Sequence, residues 1–211
     1  MFSRRISIVF ALLLIFTSLP FSRAGMAQDN STEVVRIYDY LKSCGNGKAA
    51  LAACWESLST REQELVEADG RNGPTFSGVT VTKIASPMTT NDQDVVQAAA
   101  ATGCARTTGW HTKNSPSTNT PLYKFFTSMY WCYDGYRVYD IRSLGSWVEV
   151  YIPGWEYKAA DTWMRLSNFG YAYKDTHAHF AVCFAYCFNH RYPWVELFGY
   201  ANGTATVNRH E

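Results

Sequence analysis

Lys124 to Arg142 reads KFFTSMYWCYDGYRVYDIR. Two runs of aromatic and β-branched residues, Lys124–Tyr133 and Tyr136–Arg142, flank the dipeptide Asp134-Gly135. Asp-Gly suits a two-residue type I′ turn because both central positions take positive φ, so the stretch predicts a β-hairpin. A two-residue turn sets Tyr133 opposite Tyr136, Trp131 opposite Val138 and Tyr130 opposite Tyr139.

The same texture continues to the end of the chain. Trp147–Ile152 reads as a strand stopped by Pro153-Gly154, followed by strands near Trp155–Lys158, Trp163–Tyr173, His177–Phe188 and Tyr192–Ala201. Asn202-Gly203 offers a second tight turn into Thr204–Asn208. Short strands at this spacing, with no helical period between them, predict a mainly β fold: an antiparallel β-sandwich or barrel over residues 110–211.

Upstream, residues 28–109 read as a helical segment and a loop-rich connector. Val34, Ile37, Tyr38 and Leu41 recur at helical spacing, and Ala49, Ala52, Ala53 and Trp55 continue a face after the Gly45-Asn46-Gly47 break. Ser59-Thr60-Arg61-Glu62 has the form of a capping box, opening a polar helix that Gly70 is expected to close. Residues 70–121 are rich in Gly, Ser, Thr, Asn and Pro, with room for a strand at Gly78–Ile84 and a short helix at Asp92–Ala101.

Residues 1–27 have the order of a secretory signal peptide. Arg4 and Arg5 precede the apolar run Ile8–Phe16, Pro20 interrupts it, and small residues follow at Ser22, Ala24, Gly25 and Ala27. The apolar run is too short to span a bilayer. Without this segment the chain carries 16 Lys+Arg against 18 Asp+Glu. That near-neutral balance lacks the basic excess of a nucleic-acid binder, and no later segment has membrane-spanning length. The expected location is therefore secreted, extracellular or at the cell surface. There the six cysteines, Cys44, Cys54, Cys104, Cys132, Cys183 and Cys187, read as three disulfides. Cys44 and Cys54 share one helical segment and are the expected local pair, whereas the other four permit three pairings. Asn30 and Asn202 stand in glycosylation acceptor triplets.

Residues 110–200 hold 25 of the 33 Phe, Tyr and Trp residues. Some must fill a core, and rings left outside form an interaction surface. Trp155, Tyr157 and Trp163 are the expected exposed ligand-binding rings, because they flank the Pro153-Gly154 turn among Glu156, Lys158 and Asp161. No nucleophile elbow, zinc-protease motif, phosphate loop or dinucleotide fingerprint occurs, so neither a catalytic residue nor a cofactor is implied. His177 and His179 share one face of a strand, where His190 or Asp175 could complete a metal site; the alternative is polar surface. Glu149, Glu156, Asp161 and Glu196 could supply a hydrolytic carboxylate pair. The expectation is a secreted, non-enzymatic binding module for carbohydrate or an extracellular protein partner. The alternatives are a secreted hydrolase using a carboxylate pair and a structural secreted protein without a discrete ligand.

Overall fold

The computed structural model describes residues 23–84, 102–167 and 170–211, with side chains from Asn30 onward. The expected signal segment up to Ser22 and the expected helix at Asp92–Ala101 lie outside the described residues. Among the described residues three helices, α1 (Arg23–Ser43), α2 (Lys48–Ser57) and α3 (Thr60–Asn72), precede nine strands. The strands are β1 (Thr75–Ile84), β2 (Gly103–Asn114), β3 (Pro121–Tyr133), β4 (Val138–Val150), β5 (Trp155–Ser167), β6 (Tyr171–Cys183), β7 (Cys187–Arg191), β8 (Trp194–Tyr200) and β9 (Ala205–His210).

The strands form two antiparallel sheets. The first has the order β1-β2-β3-β4, and the second β5-β6-β8-β9 with β7 paired to the far end of β6. They face each other as a sandwich, with β2 against β8, β3 against β6 and β8, β4 against β5, and β1 beside β9. The core lies between them. Phe125, Met129 and Trp131 come from β3, Phe180 from β6, and Val195 and Leu197 from β8, all fully buried. The sheet on which the fold rests is thus larger than the 110–211 segment, because β1 and β2 belong to it.

The sequence of β2, GCARTTGWHTKN, looks like a loop because its inward residues are largely polar. The inward Thr107 finds a partner within the sheet, its Oγ1 donating to Thr80 O at 3.1 Å, and on the other face Thr108 Oγ1 bonds Ser128 Oγ at 3.1 Å. Buried polar groups are tolerated when hydrogen-bonded.

The hairpin at Asp134-Gly135 exists in a different register. Tyr133 pairs with Val138, Trp131 with Ile141 and Tyr130 with Arg142. Asp134 Oδ1 accepts from the backbone N–H of both Tyr136 and Arg137, which draws four residues into the loop instead of two. Gly135 has φ +87° there, and its N–H donates to Ala201 O at 3.0 Å, tying this loop to the β8–β9 turn. The two runs expected at Tyr136–Arg142 and Trp147–Ile152 are one strand, β4, with a bulge opposite Ser128. Likewise β5 runs unbroken from Trp155 to Ser167, and the chain reverses before Tyr171.

Helix α1 buries Val34, Ile37, Tyr38 and Leu41, the face its spacing predicts. In α2 the buried pair is Leu51 and Trp55, while Ala49 and Ala53 stay exposed. Larger apolar side chains gain more from leaving water, so they take the inward positions of an alanine-rich helix. Ser59 and Glu62 form the capping box of α3. Gly70 does not close that helix: it lies inside it, where α3 meets β5 and β7. Trp55 stacks on Phe184 with ring centroids 4.5 Å apart, so the helices cover the β6–β7 end of the sandwich.

Three disulfides close the cysteine account, and no cysteine is free among the described residues. They are Cys44–Cys54 between α1 and α2, Cys104–Cys132 across β2 and β3, and Cys183–Cys187 across the β6–β7 turn. Among the described residues no helix is long and apolar enough to cross a membrane.

Candidate functional site

Alternate residues of a strand face opposite sides of its sheet. Along β6, Ala172, Lys174, Thr176, Ala178 and Phe180 point inward and are buried, leaving Tyr171, Tyr173, Asp175, His177 and His179 half-buried on the outer side. Strand β8 repeats the pattern, with Val195 and Leu197 inside and Trp194, Glu196, Phe198 and Tyr200 outside.

Pairing with β5 and β9 turns these residues into rows across the outer face. One row runs Asp161, His177, Trp194, His210. The next runs Trp163, Asp175, Glu196, Asn208, and a third Arg165, Tyr173, Phe198, Thr206.

The rings of this face touch in sequence. Trp163 meets His177 edge-on at 4.9 Å, His177 stacks on Trp194 at 4.8 Å, and Trp194 meets His210 at 4.5 Å. Phe198 packs against Tyr173 at 5.0 Å and Tyr171 at 5.9 Å. Beyond the first row His179 lies between His190 and Tyr192, at 5.1 Å and 4.6 Å. A depression of about 460 Å³ opens beside Trp163, Met164, Arg165, Tyr171, Tyr173 and Phe198.

Polar groups stand among the rings. Asp175 and Glu196 are direct cross-strand partners. Asp175 Oδ2 lies 3.0 Å from His177 Nε2, and Tyr173 donates its hydroxyl to Glu196 Oε1 at 2.8 Å. Burial, reinforced by that bond to Glu196 and by the nearby Asp175, holds the Tyr173 phenol above its ordinary range. Burial, with His190 and Lys158 close by, lowers the pKa of His179.

The three rings expected from sequence separate in the structure. Trp163 lies on this face and is 53 % exposed. Tyr157 is 40 % exposed, but it pairs with the inward Phe180 and so belongs to the opposite side of β5. Trp155 is 5 % exposed, contrary to expectation, because α3 covers it and its ring packs 5.0 Å from Tyr123.

The acids considered from sequence are likewise dispersed. Glu149 takes a hydrogen bond from Tyr151 in the first sheet, and Glu156 pairs with Lys158 and Lys48. Only Asp161 and Glu196 reach the ring-bearing face, and the partner of Glu196 is Asp175. His179 Nε2 and His190 Nδ1 are 2.8 Å apart, yet among the described residues no group of three or more His, Cys, Asp or Glu is arranged to hold a metal ion. Tyr171, Tyr173, Trp194 and Phe198 escaped the sequence reading. Their signal is the period-two alternation of Tyr171 to His179 and of Trp194 to Tyr200, which acquires meaning once β6 and β8 are known to be neighbours.

Comparison of the chain with known protein families, with characterised proteins and with solved structures finds no match.

Proposed function

We propose that this chain is an exported, non-catalytic binding module that holds a neutral carbohydrate on the outer face of its second sheet. The observation that carries the reading is the run of touching rings, Trp163, His177, Trp194 and His210, lying directly beside the carboxylates of Asp175 and Glu196. A pyranose has apolar C–H faces and a rim of hydroxyls. Rings accept the first, and carboxylates accept hydrogen bonds from the second. The three carboxylates Asp161, Asp175 and Glu196 stand on this face with one arginine, Arg165, while the neighbouring Lys158 is paired to Glu156, a balance that repels polyanionic glycans and leaves neutral ones unaffected. Export is supported by the Arg4-to-Ala27 signal pattern and by three disulfides, which persist in oxidising surroundings.

A glycan array probed with the mature protein, followed by affinity electrophoresis in the best neutral polysaccharide, tests the reading. Trp163→Ala and Trp194→Ala should each weaken retention by roughly tenfold, equivalent to about 1.4 kcal/mol. Binding that is unchanged in both variants, or confined to acidic glycans, would overturn it. Release of new reducing ends from a bound glycan would point instead to the hydrolytic alternative, with Asp175 and Glu196 as the acids to mutate.

A further inference from the structure

A second polar site lies away from the rings, at the end of the sandwich where β2, β3 and β7 converge on Glu211. His111 and Lys113 project from β2, Tyr123 from the start of β3 and Arg191 from the end of β7. Glu211 Oε2 lies 3.4 Å from Lys113 Nζ and 3.7 Å from His111 Nε2. Its Oε1 lies 3.3 Å from the Tyr123 hydroxyl and 3.8 Å from Arg191 Nε. Each carboxylate oxygen therefore faces two donor groups, in a pocket where His111 is only 1 % exposed and Lys113 and Tyr123 are also buried.

Two features mark this as more than a surface ion pair. Neither ring nitrogen of His111 nor Arg191 Nε, all buried, has a partner within hydrogen-bond distance, and His111 Nε2 and Arg191 Nε meet Glu211 only at ion-pair range. The charge balance is also uneven, since Lys113 and Arg191 confront a single side-chain carboxylate. Burial alone would raise the pKa of Glu211, but His111, Lys113 and Arg191 outweigh it and hold the group below the ordinary carboxylate range. Burial pulls the Lys113 ammonium downward, partly offset by Glu211. Removing the carboxylate would leave the buried Lys113 ammonium, with the half-buried Arg191 beside it, without this counter-charge, the situation in which a bound anion stabilises most.

We propose that this pocket is a carboxylate-binding site with the Glu211 side chain as its tethered occupant, so that a free monocarboxylate of acetate size takes its place when that side chain is removed. The donor arrangement is the basis for the ligand class. Two pairs of groups, one pair to each of two oxygens, match a planar carboxylate, whereas a tetrahedral anion carries additional oxygens for which these four groups supply no further partner. Occupancy joins the end of β9 to β2, β3 and β7.

The test is chemical rescue of Glu211→Ala, read as melting temperature at neutral pH against sodium acetate, sodium chloride and sodium phosphate at equal ionic strength. Acetate should give a saturable rise of several degrees in Glu211→Ala. No saturable rise should appear in the wild type, in Glu211→Gln, whose amide still fills the pocket, or in Glu211→Ala/Lys113→Met. Equal responses to acetate and chloride, an equal or larger response to phosphate, or a rise that survives the loss of Lys113 would each overturn the proposal. Should Glu211→Ala not fold in chloride, the yield of folded protein on refolding in acetate against chloride makes the same comparison, and failure in both overturns it.

Discussion

The indole of Trp155 rests against the backbone of Gly70 in α3: a Cβ built on that glycine would lie 3.2 Å from Trp155 Cζ2 and 2.8 Å from Asn189 Nδ2. Helix and strand meet here so closely that any side chain at position 70 would press on the indole and on the Asn189 amide. The tryptophan is thereby withdrawn from solvent, although its neighbours in sequence are polar.

Trp155 and Trp163 should therefore respond oppositely to truncation. Trp155→Ala removes a buried ring and should cost about 3–5 kcal/mol of stability, whereas Trp163→Ala on the open face should cost less than about 1 kcal/mol. Urea titrations of both variants provide the comparison, and similar midpoints would contradict this account of the α3–β5 contact.

Lys174 sets a pH dependence. Its side chain is fully buried and donates to Ser128 O at 2.9 Å, Ser143 Oγ at 3.0 Å and Gly145 O at 3.0 Å. Burial lowers its pKa to about 8 from the ordinary lysine value. Between pH 8 and the unfolded-state value near 10.4, the unfolded chain holds this proton and the native chain releases it. Stability should rise with pH across that window, on the order of 1–3 kcal/mol in all, and the cost of the buried charge should be fully present below pH 8. Above about pH 10 the buried Tyr38 and Tyr123, whose pKa values are raised, oppose the trend. Unfolding free energies of wild type and Lys174→Met from pH 7 to 10 isolate the contribution, because the variant should lose the added slope.

The β3–β4 loop depends on backbone geometry. Gly135 at φ +87° excludes a β-branched residue, so Gly135→Val should cost roughly 1–3 kcal/mol. Asp134→Asn retains an acceptor for the N–H groups of Tyr136 and Arg137 and should change the melting temperature little. Calorimetry of the two variants separates backbone strain from side-chain bonding.

The disulfides should contribute unequally. Cys104–Cys132 spans 28 residues and Cys183–Cys187 spans 4. Chain entropy assigns about 3.5 kcal/mol to the first and about 2 kcal/mol to the second. Paired alanine substitutions, compared by denaturant midpoint, should reproduce that order, and a larger loss at Cys183–Cys187 would contradict it.

Local spacing made parts of this fold legible in advance. Val34, Ile37, Tyr38 and Leu41 announce the buried side of α1, and Ser59 with Glu62 announces the start of α3, because both depend only on residues within two turns. The register at Asp134-Gly135 was not legible, since the Asp134 side chain captures two N–H groups and enlarges the loop. Strand β2 was hidden by its polar composition, whose bonding partners lie on β1 and β3. The ring-bearing face was hidden for a similar reason. Cys183–Cys187 shapes a tight turn that sends the short β7 back along only the end of β6, leaving the Tyr171–His177 stretch to pair with β8. That choice of partner is a long-range event with no local marker.

The alternation along β6 divides the strand between two sets of demands. Ala172, Thr176, Ala178 and Phe180 answer to packing between the sheets, while Tyr171, Tyr173, Asp175, His177 and His179 answer to what meets the outer face. Mutational drift can therefore rewrite one set while the other stands still. Descendants of this chain could diverge widely in what they recognise while inheriting the same interior, and between such descendants the strand would show conserved and variable positions in strict turn.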